Sequence, residues 1–406
     1  MTGNLQSFCF RIEKEFGKPN TYTSGDPDEN VWIACPPGSF INTQHNRAAT
    51  RINTAGSKVW DTVAYGQLTG SFEWTFQLDY AYLEPIYLLF EKFHEDVGET
   101  TSTHYYDKKN VGRVPSFTIR RKVINRSSGG SIDEMEDIYG CVARNITFSK
   151  SAGTSQINVR ITGFFVDERM VLGYMDSTDY TEYKGKLAEF LCMFVGDSAS
   201  DTLADCHYVA NTESLEVTIE NSAEAIYNTC SPFASAYVEG ITNYSFTTSC
   251  LANNPDNYRR RVYSGGNSKV NRPLAKGLTP LKKIFLVAYD GSARGDDDDP
   301  NFSPSEDDIK AAINSSGNKL VFEIDECVIK SLTWPKGDGS KIMDNISSAE
   351  CKRIKLDVTT GSLPGSSSSY RACPAAASTV AGVRNRITSY EPSPNATGLY
   401  DPCNTA

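Results

Sequence analysis

The sequence predicts a mainly β protein: two tandem β-sandwich or barrel domains, each with one flanking α-helix, and an extended C-terminal arm. Three observations support this prediction. One strand-like stretch is present twice, several segments alternate between apolar and polar residues, and the end of the chain is rich in Ser, Pro, Ala and Gly. Alternation with a period of two is typical of strands that bury one face.

The repeated stretch is Ile138–Lys150, and its second copy is Ile324–Lys336. Cys141 recurs as Cys327, so the copies are offset by a little under half of the chain, and we call this offset the repeat shift. Arg144 of the first copy is replaced in kind by Lys330 of the second. A repeat of this size predicts a duplicated domain. The boundaries that follow are 1–180, 181–361 with an acidic insertion at 291–317, and 362–406 for the arm.

In the first half, strands and one helix are predicted in order. Residues 40–60 are polar and are predicted to form a long loop, which in a compact domain is usually functional or ordered by a partner. The next segments are a strand at Phe72–Leu78 and a helix over Tyr82–Phe93, because Pro85 is tolerated only in a first turn. Further strands are predicted at Val31–Ile33, Phe117–Ile124, Ile138–Phe148 and Gln156–Phe165, the last two forming a hairpin.

The second half is predicted to repeat this order. Val217–Ile219 aligns with Val31–Ile33 at the repeat shift, and Ile241–Phe246 stands where Leu68–Phe72 stood. Ser305 and Asp308 predict a helix N-terminus within the acidic insertion. The remaining strands are predicted at Ile284–Ala288, Ile324–Trp334 and Arg353–Val358.

Composition excludes several classes of protein. The 406 residues carry a net charge of −10, which argues against a protein that grips DNA through its phosphates. No apolar run approaches the roughly 18 residues of a membrane span. The N-terminus has neither a basic nor an apolar stretch, so we expect synthesis in the cytoplasm without a signal peptide. Cys141 and Cys327 lie among apolar residues and are expected to be buried free thiols.

No segment predicts catalysis, a cofactor or a metal site. The four histidines lack ligand spacing, Asp296–Asp299 lacks the spacing of an EF-hand loop, and Gly337–Lys341 lacks Walker spacing. A β-sandwich hydrolase that uses Glu134 and Glu136 is the least favoured hypothesis, because alternating charge there fits a solvated loop. The sequence therefore predicts a protein that is not an enzyme.

Arg144 and Lys330 share the parity of the apolar residues in the repeated strand. A basic side chain at such a position either extends to solvent or meets an acidic partner. Its presence in both halves predicts a place where one half meets the next, in the same chain or in a neighbour. A duplicated domain with a head-to-tail contact closes into a ring if the rotation permits, and three chains would give six domains.

With these features the chain resembles the tail tube proteins of long-tailed bacteriophages and tailed viruses. The resemblance covers about residues 7–165 and 205–361. It rests on the Glu-to-Gly opening within Arg11–Pro19, the strand-then-helix order after Leu68, and the Gly-containing late strand Tyr139–Phe148. It implies a β-sandwich with one flanking helix, whose inner strands join those of neighbours into a β-lined channel. The acidic insertion and the arm depart from that pattern.

The resemblance implies a structural protein of the virion tail, made in the host cytoplasm. It would be the major tail tube subunit, polymerising as stacked, trimeric and pseudo-hexameric rings that form a channel for DNA ejection. Its partners would be copies of itself, the tape measure, tail terminator and baseplate proteins, and viral DNA in passing. The alternative is a tail-tip, baseplate or receptor-binding β-rich virion protein that would use exposed aromatics such as Tyr105, Tyr106 and Tyr180.

Under this resemblance two further sets of residues gain a role. An acidic or neutral lumen would let a phosphate backbone pass without sticking. The lumen candidates are Glu73, Thr75, Gln77, Asn158 and Arg160. The predicted loop at 42–60 is the candidate for stacking on the next ring. Its contact residues would be Asn42, Gln44, His45 and Arg47.

Overall fold

The computed structural model of the chain consists mainly of antiparallel β-strands. It describes residues 5–13, 16–18, 33–36, 38–52, 62–80, 82–89, 93–95, 104–106, 114–124, 132–154, 156–171, 187–188, 190–209, 212–251, 280–290, 305–333 and 343–360. The strands are β1 Leu5–Ile12, β2 Ile33–Ala34, β3 Phe40–Ile52, β4 Thr62–Gln77, β5 Phe93–Glu95, β6 His104–Tyr106, β7 Phe117–Ile124, β8 Ile132–Ser151, β9 Asn158–Phe165, β10 Asp167–Val171, β11 Phe190–Gly196, β12 His207–Tyr208, β13 Thr212–Asn221, β14 Glu224–Tyr227, β15 Ala234–Val238, β16 Thr242–Leu251, β17 Leu281–Tyr289, β18 Asn318–Thr333 and β19 Met343–Thr360. The helices are a 3₁₀ helix at Glu84–Leu89 and α1 at Glu306–Ser315.

Strands β1 to β4 and β7 to β10 of the first half form two layers. One layer has the order β2-β1-β7-β8-β10, and the other has the order β3-β4-β9-β8. The long strand β8 belongs to both. Aromatic rings join the layers, with 5.5 Å between the ring centroids of Phe10 and Trp74 and 5.8 Å between those of Phe72 and Phe117. The predicted alternation at Phe72–Leu78 is confirmed, because Phe72, Trp74, Phe76 and Leu78 are all buried.

The strands of the second half other than β14 and β15, which form a separate hairpin, have the same arrangement. One layer has the order β12-β11-β17-β18-β19, and the other has the order β13-β16-β19-β18. Strand β6 of the first half extends the first of these layers by pairing with β19. The pairing registers recur as well. Val142 lies opposite Phe164 in the first half, and Val328 lies opposite Glu350 in the second. The repeat shift separates Val142 from Val328 and also Phe164 from Glu350, so the two pairs are equivalent.

A shorter offset relates β3 and β4 to β13 and β16. Arg47 pairs with Leu68 in the first half, as Asn221 pairs with Thr242 in the second, and we call the offset from Arg47 to Asn221 the edge shift. The alignment of Val217 with Val31 at the repeat shift was therefore wrong. The counterpart of Val217 is Thr43 in β3, because the two are paired with Phe246 and Phe72 respectively.

A bend in the long strand of each half has the same backbone conformation. Gly140 in β8 has a φ of 65°, and Glu326, its counterpart in β18 at the repeat shift, has a φ of 42°. This left-handed region suits glycine and strains residues that carry a Cβ. The duplicated fold therefore requires a positive φ at this position even where the sequence no longer provides glycine.

The segment from Glu13 to Gly17, which follows β1, stabilises the bend at Gly140. Glu13 is buried, and its carboxylate accepts hydrogen bonds from the amides of Gly17 (2.9 Å) and Gly140 (2.8 Å) and from the Thr118 hydroxyl (2.7 Å). Burial raises the pKa of Glu13, although these three bonds favour the carboxylate. The side chain thus connects the segment after β1 to the bend in β8.

The helices differ from the prediction. The segment predicted as a helix over Tyr82–Phe93 is a six-residue 3₁₀ helix, and Phe93 begins β5. Leu83, Ile86 and Leu89 are buried three residues apart, which is the period of a 3₁₀ helix. The described α-helix, α1, lies in the acidic insertion of the second half, so the described halves do not share a flanking α-helix. Its predicted cap is confirmed, because Ser305 and Asp308 form a reciprocal capping box.

Several predictions concern residues outside the described ranges, including the acidic run Asp296–Asp299, Tyr180 and the arm at 362–406. The predicted Val31–Ile33 strand lies outside the described residues except for Ile33, which begins β2. The other predicted strands are confirmed, with longer bounds for most. The predicted Arg353–Val358 strand is the continuation of β19, whose earlier part corresponds to β9. Cys141 and Cys327 are buried free thiols, as predicted.

Candidate assembly interface

Strand β8 of the first half joins β13 of the second half edge to edge. Seven antiparallel pairs run from Asn145 opposite Glu220 to Ser151 opposite Ser214. The hydroxyl groups of Thr147 and Thr218 are 3.1 Å apart on one face. On the other face the paired Ile146 and Ile219 are buried.

The two halves are therefore joined by a β-ladder as well as by packing. Sequence reasoning missed this ladder. The alternation of β13 from Leu215 to Glu220 was a visible signal of a half-buried strand, although it did not indicate the partner.

The β8–β13 ladder produces one sheet of eight strands, in the order β3-β4-β9-β8-β13-β16-β19-β18. Its two end strands are β3 and the C-terminal part of β18. Among the described strands, β3 pairs with β4 alone, and residues 328–333 of β18 pair with β19 alone. Each end of the sheet thus presents backbone groups that can template pairing with another strand.

Arg144 and Lys330 occupy matching β-bulges. The register of β8 with β9 skips Arg144, and the register of β18 with β19 skips Lys330. The guanidinium of Arg144 donates to the backbone oxygen of Ala223 in the second half at 2.6 Å and lies 4.8 Å from the Phe164 ring centroid. The ammonium of Lys330 pairs with Glu350 of its own hairpin. Arg144 therefore bridges the halves, whereas Lys330 occupies the same position at the end of the sheet.

The lumen candidates share the polar face of the eight-stranded sheet. Thr75 pairs with Arg160, Gln77 pairs with Asn158, and Arg160 donates to Glu73 at 2.8 Å. The polar face continues across the β8–β13 ladder into β16, while the opposite face is buried. Its members beyond the predicted five include Thr147, Ser149, Glu216, Thr218, Glu220, Asn243, Ser245 and Thr247.

The residues predicted for an inter-ring loop lie instead in the edge strand β3. Asn42, Gln44, His45 and Arg47 are exposed, and each pairs with a residue of β4. The loop prediction was wrong because this strand buries little of its surface, so the periodic apolar residues that reveal a strand are missing after Ile41. These side chains are therefore presented along an open sheet edge, and their contact with a next ring stays a prediction.

His45 belongs to a charged cluster that links β3 to the other layer. Its Nε2 is 2.5 Å from Glu168, whose second oxygen is 3.8 Å from Arg121. Arg121 also pairs with Glu136. Burial, together with a hydrogen bond to Glu168 and the charge of that carboxylate, raises the pKa of Glu136 to about 7. Burial acts in the same direction on Glu168, but bonds to Glu136 and His45 outweigh it and lower the pKa of Glu168.

This cluster predicts a pH-dependent stability. Because the folded pKa of Glu136 lies above its unfolded value, its contribution is full below pH 4.5 and is lost as the pH rises toward 7. The Glu136→Gln variant should therefore lose less thermal stability between pH 5 and pH 8 than the wild type, as measured by calorimetric Tm. The folded pKa of Glu168 is lowered, so its carboxylate stabilises the wild type above pH 4.5. The matched variant Glu168→Gln should lack this stabilisation. Equal pH profiles for all three proteins would contradict the assignment.

A second contact between the halves is the hairpin β14–β15, which we call the clasp (residues 222–241). The amide of Leu68 donates to the Pro232 oxygen at 2.8 Å, and the hydroxyl of Tyr227 donates to the Leu68 oxygen at 3.3 Å. The hydroxyl of Tyr237 likewise donates to the oxygen of Val114 at 2.6 Å. The clasp thus fastens the second half to the first through backbone groups, which no local sequence pattern indicates.

Apolar contacts complete the clasp. Tyr237 and Ala223 form a buried cluster with Val142 and Phe164 of the first half, and Ala225 packs against it. The Tyr237 ring lies 5.0 Å from that of Phe16. Val142 is fully buried by this arrangement.

Other classes of site find little support in the described residues. In those ranges no three His, Cys, Asp or Glu side chains are grouped to hold a metal ion. None of the described helices is long and apolar enough to cross a membrane. An open cleft of about 610 Å³ in the second half is lined by Lys283, Glu323, Asp325 and Arg353, which pair with one another.

Comparison with known proteins adds no identification. No model of a protein family matches the chain, and no curated protein sequence matches it. Function must therefore be argued from the β8–β13 ladder, the two ends of the sheet and the clasp.

Proposed function

We propose that the chain is a structural subunit that assembles with copies of itself, edge to edge, into a ring, and that stacked rings form a tail tube for the passage of viral DNA. The observation that carries this proposal is the β8–β13 ladder. It is a head-to-tail contact between two copies of one fold, and the sheet that it builds ends in the two edges that could repeat it.

The repeat specifies the register of the next contact. In the chain, Asn145, Ile146 and Thr147 of β8 lie opposite Glu220, Ile219 and Thr218 of β13. The repeat shift moves the β8 residues onto β18, and the edge shift moves the β13 residues onto β3 of the next copy. The resulting pairs are Ser331 with Asn46, Leu332 with His45, and Thr333 with Gln44. Three copies joined in this way give six similar units, and such a heterologous contact closes when the rotation permits.

The character of the polar face supports a channel. It is rich in hydroxyl and amide side chains, and among the named positions the acids Glu73, Glu216 and Glu220 outnumber the base Arg160. Such a surface offers little attraction to a phosphate backbone, since DNA affinity grows with the number of basic contacts. A sheet turned with this face inward would let DNA slide.

Proline at the β3 edge tests the proposal. Successive residues of an antiparallel strand point their amides alternately toward and away from the partner strand. One of the variants Gln44→Pro and His45→Pro therefore keeps all ladder bonds to β4 and removes an outward amide. We expect that variant to keep the wild-type Tm within a few degrees and to lose ring formation, measured by mass photometry and negative-stain microscopy.

His45→Ala is the control for loss of the imidazole contact to Glu168, and it should still form rings. Rings formed by both proline variants would contradict the edge contact. A wild-type protein that remains monomeric at high concentration would instead favour the tail-tip or receptor-binding alternative, in which few copies are present per virion.

A further inference from the structure

The clasp has a counterpart in the first half. The clasp lies between the paired residues Asn221 and Thr242, and residues 48–67 lie between the equivalent pair Arg47 and Leu68, so the two segments are equal in length. Their internal registers also agree, because Arg51 pairs with Val63 as Ala225 pairs with Tyr237, each moved by the edge shift. We call the described residues of this segment, 48–52 and 62–67, the first hairpin.

Several described residues of the first hairpin are more exposed than their counterparts in the clasp. Tyr65 is 64% exposed, whereas its counterpart Glu239 is half-buried. Ala49 and Arg51 are exposed, whereas their counterparts are the buried Ala223 and the half-buried Ala225. Val63 is half-buried, whereas its counterpart Tyr237 is 6% exposed. The same fold element is therefore used as an internal contact in one half and is left projecting in the other.

The surface that would receive the first hairpin is uncovered in the second half. Val142, which lies under the clasp, is fully buried, whereas its counterpart Val328 is 51% exposed. Glu350 replaces Phe164 at the same rung, and its side chain is 61% exposed. Ile241, next to the counterpart of Leu68, is 79% exposed.

We propose that the first hairpin of one copy docks on the second half of the neighbouring copy, over Val328 and Glu350, as the clasp docks on the first half within the chain. This inference rests on the proposed edge-to-edge assembly and names its second contact. The occupant is a neighbour, because β3 and β18 are the two ends of an eight-stranded sheet, about 34 Å apart at about 4.8 Å per strand.

The substitutions between the two contacts are complementary. In the contact between copies, the edge shift replaces Tyr237 with Val63 and the repeat shift replaces Val142 with Val328. The apolar pair Tyr237–Val142 therefore corresponds to the apolar pair Val63–Val328. Ala225, which packs against the cluster containing Phe164, becomes Arg51, and Phe164 becomes Glu350. The Arg51 guanidinium is thus placed near the Glu350 carboxylate, which pairs with Lys330 of its own hairpin as Phe164 contacts Arg144 in the internal contact. Ala49 retains the small side chain of Ala223.

Charge reversal and cross-linking test the docking. Arg51→Glu and Glu350→Arg should each raise the concentration needed for assembly about tenfold, and the double reversal should restore it to within about threefold. Since both side chains are exposed, each variant should keep the wild-type Tm. Arg169→Glu, which reverses an exposed arginine outside the first hairpin, is the matched control and should assemble normally.

The photo-cross-linker p-benzoyl-phenylalanine in place of Val63, the counterpart of Tyr237, in mixed ¹⁵N-labelled and unlabelled protein, should link copies at or next to Val328 and Glu350. Cross-linked pairs without rings would support the docking and overturn the ring. Rings whose cross-links lie elsewhere, or whose double reversal fails to recover, would overturn the docking alone. Protein that neither assembles nor cross-links would overturn both.

Discussion

Replacing Gly140 with alanine is expected to lower the free energy of unfolding by about 2–5 kcal/mol. Two costs add at this position. The backbone φ of 65° is strained for any residue with a Cβ, and that Cβ would overlap Cγ2 of Val166 and lie 3.1 Å from Cα of Gly17. Chemical denaturation of purified protein, followed by circular dichroism, measures the loss.

The second half provides the matched variant. Glu326 has the same role with a φ of 42°, and its ion pairs, at 3.5 Å to Lys352 and 4.0 Å to Lys282, involve partly exposed side chains. Such pairs contribute little, so Glu326→Gly should stabilise the chain by about 1 kcal/mol through relief of strain. A destabilised Glu326→Gly protein, or a neutral Gly140→Ala protein, would show that the bend does not demand a positive φ.

Removing Arg120 is the second change with a large expected effect. Its guanidinium makes two bonds to Asp137, at 2.5 and 2.6 Å, and the Asp137 side chain is only 2% exposed. Arg120→Met leaves that carboxylate buried without its main partner, which should cost about 3–5 kcal/mol in denaturation experiments. Arg160→Met breaks the exposed pair with Glu73 and should cost at most about 1 kcal/mol.

The double variant Arg120→Met with Asp137→Leu separates the cost of leaving a buried carboxylate unpaired from the cost of lost side-chain packing. If most of it comes from the stranded carboxylate, the double variant should be more stable than Arg120→Met alone. A double variant that loses as much as the sum of its single changes would instead assign the cost to lost packing.

The strands that bury one face were predictable from sequence. Phe72–Leu78 and Ile157–Ile161 bury alternate apolar side chains, so the period of two appears directly in the residues. The capping box of Ser305 and Asp308 was predictable because its bonds lie within four residues. The 3₁₀ helix was mistaken for an α-helix because buried residues on several sides give a similar apolar content.

The candidate assembly interface, formed by β3 and the β8–β13 ladder, was harder to predict from the sequence. Edge strand β3 is polar on both faces from Asn42 to Arg47, so it resembles a loop until its pairing with β4 is known. The β8–β13 ladder joins residues that are far apart in the chain, such as Asn145 and Glu220, and pairing of that range depends on the whole fold. The sequence indicates Arg144 and Lys330 as a matched pair, and the β-bulge in which each lies is a feature of register that the sequence does not show.

The eight-stranded sheet sets the bore of the proposed ring. Three copies would supply about 24 strands, which at about 4.8 Å spacing and about 40° of tilt give a circumference of roughly 150 Å. The corresponding backbone diameter is roughly 50 Å. With its short hydroxyl and amide side chains turned inward, such a cylinder would leave a water-filled bore through which a double helix could travel without touching every wall at once.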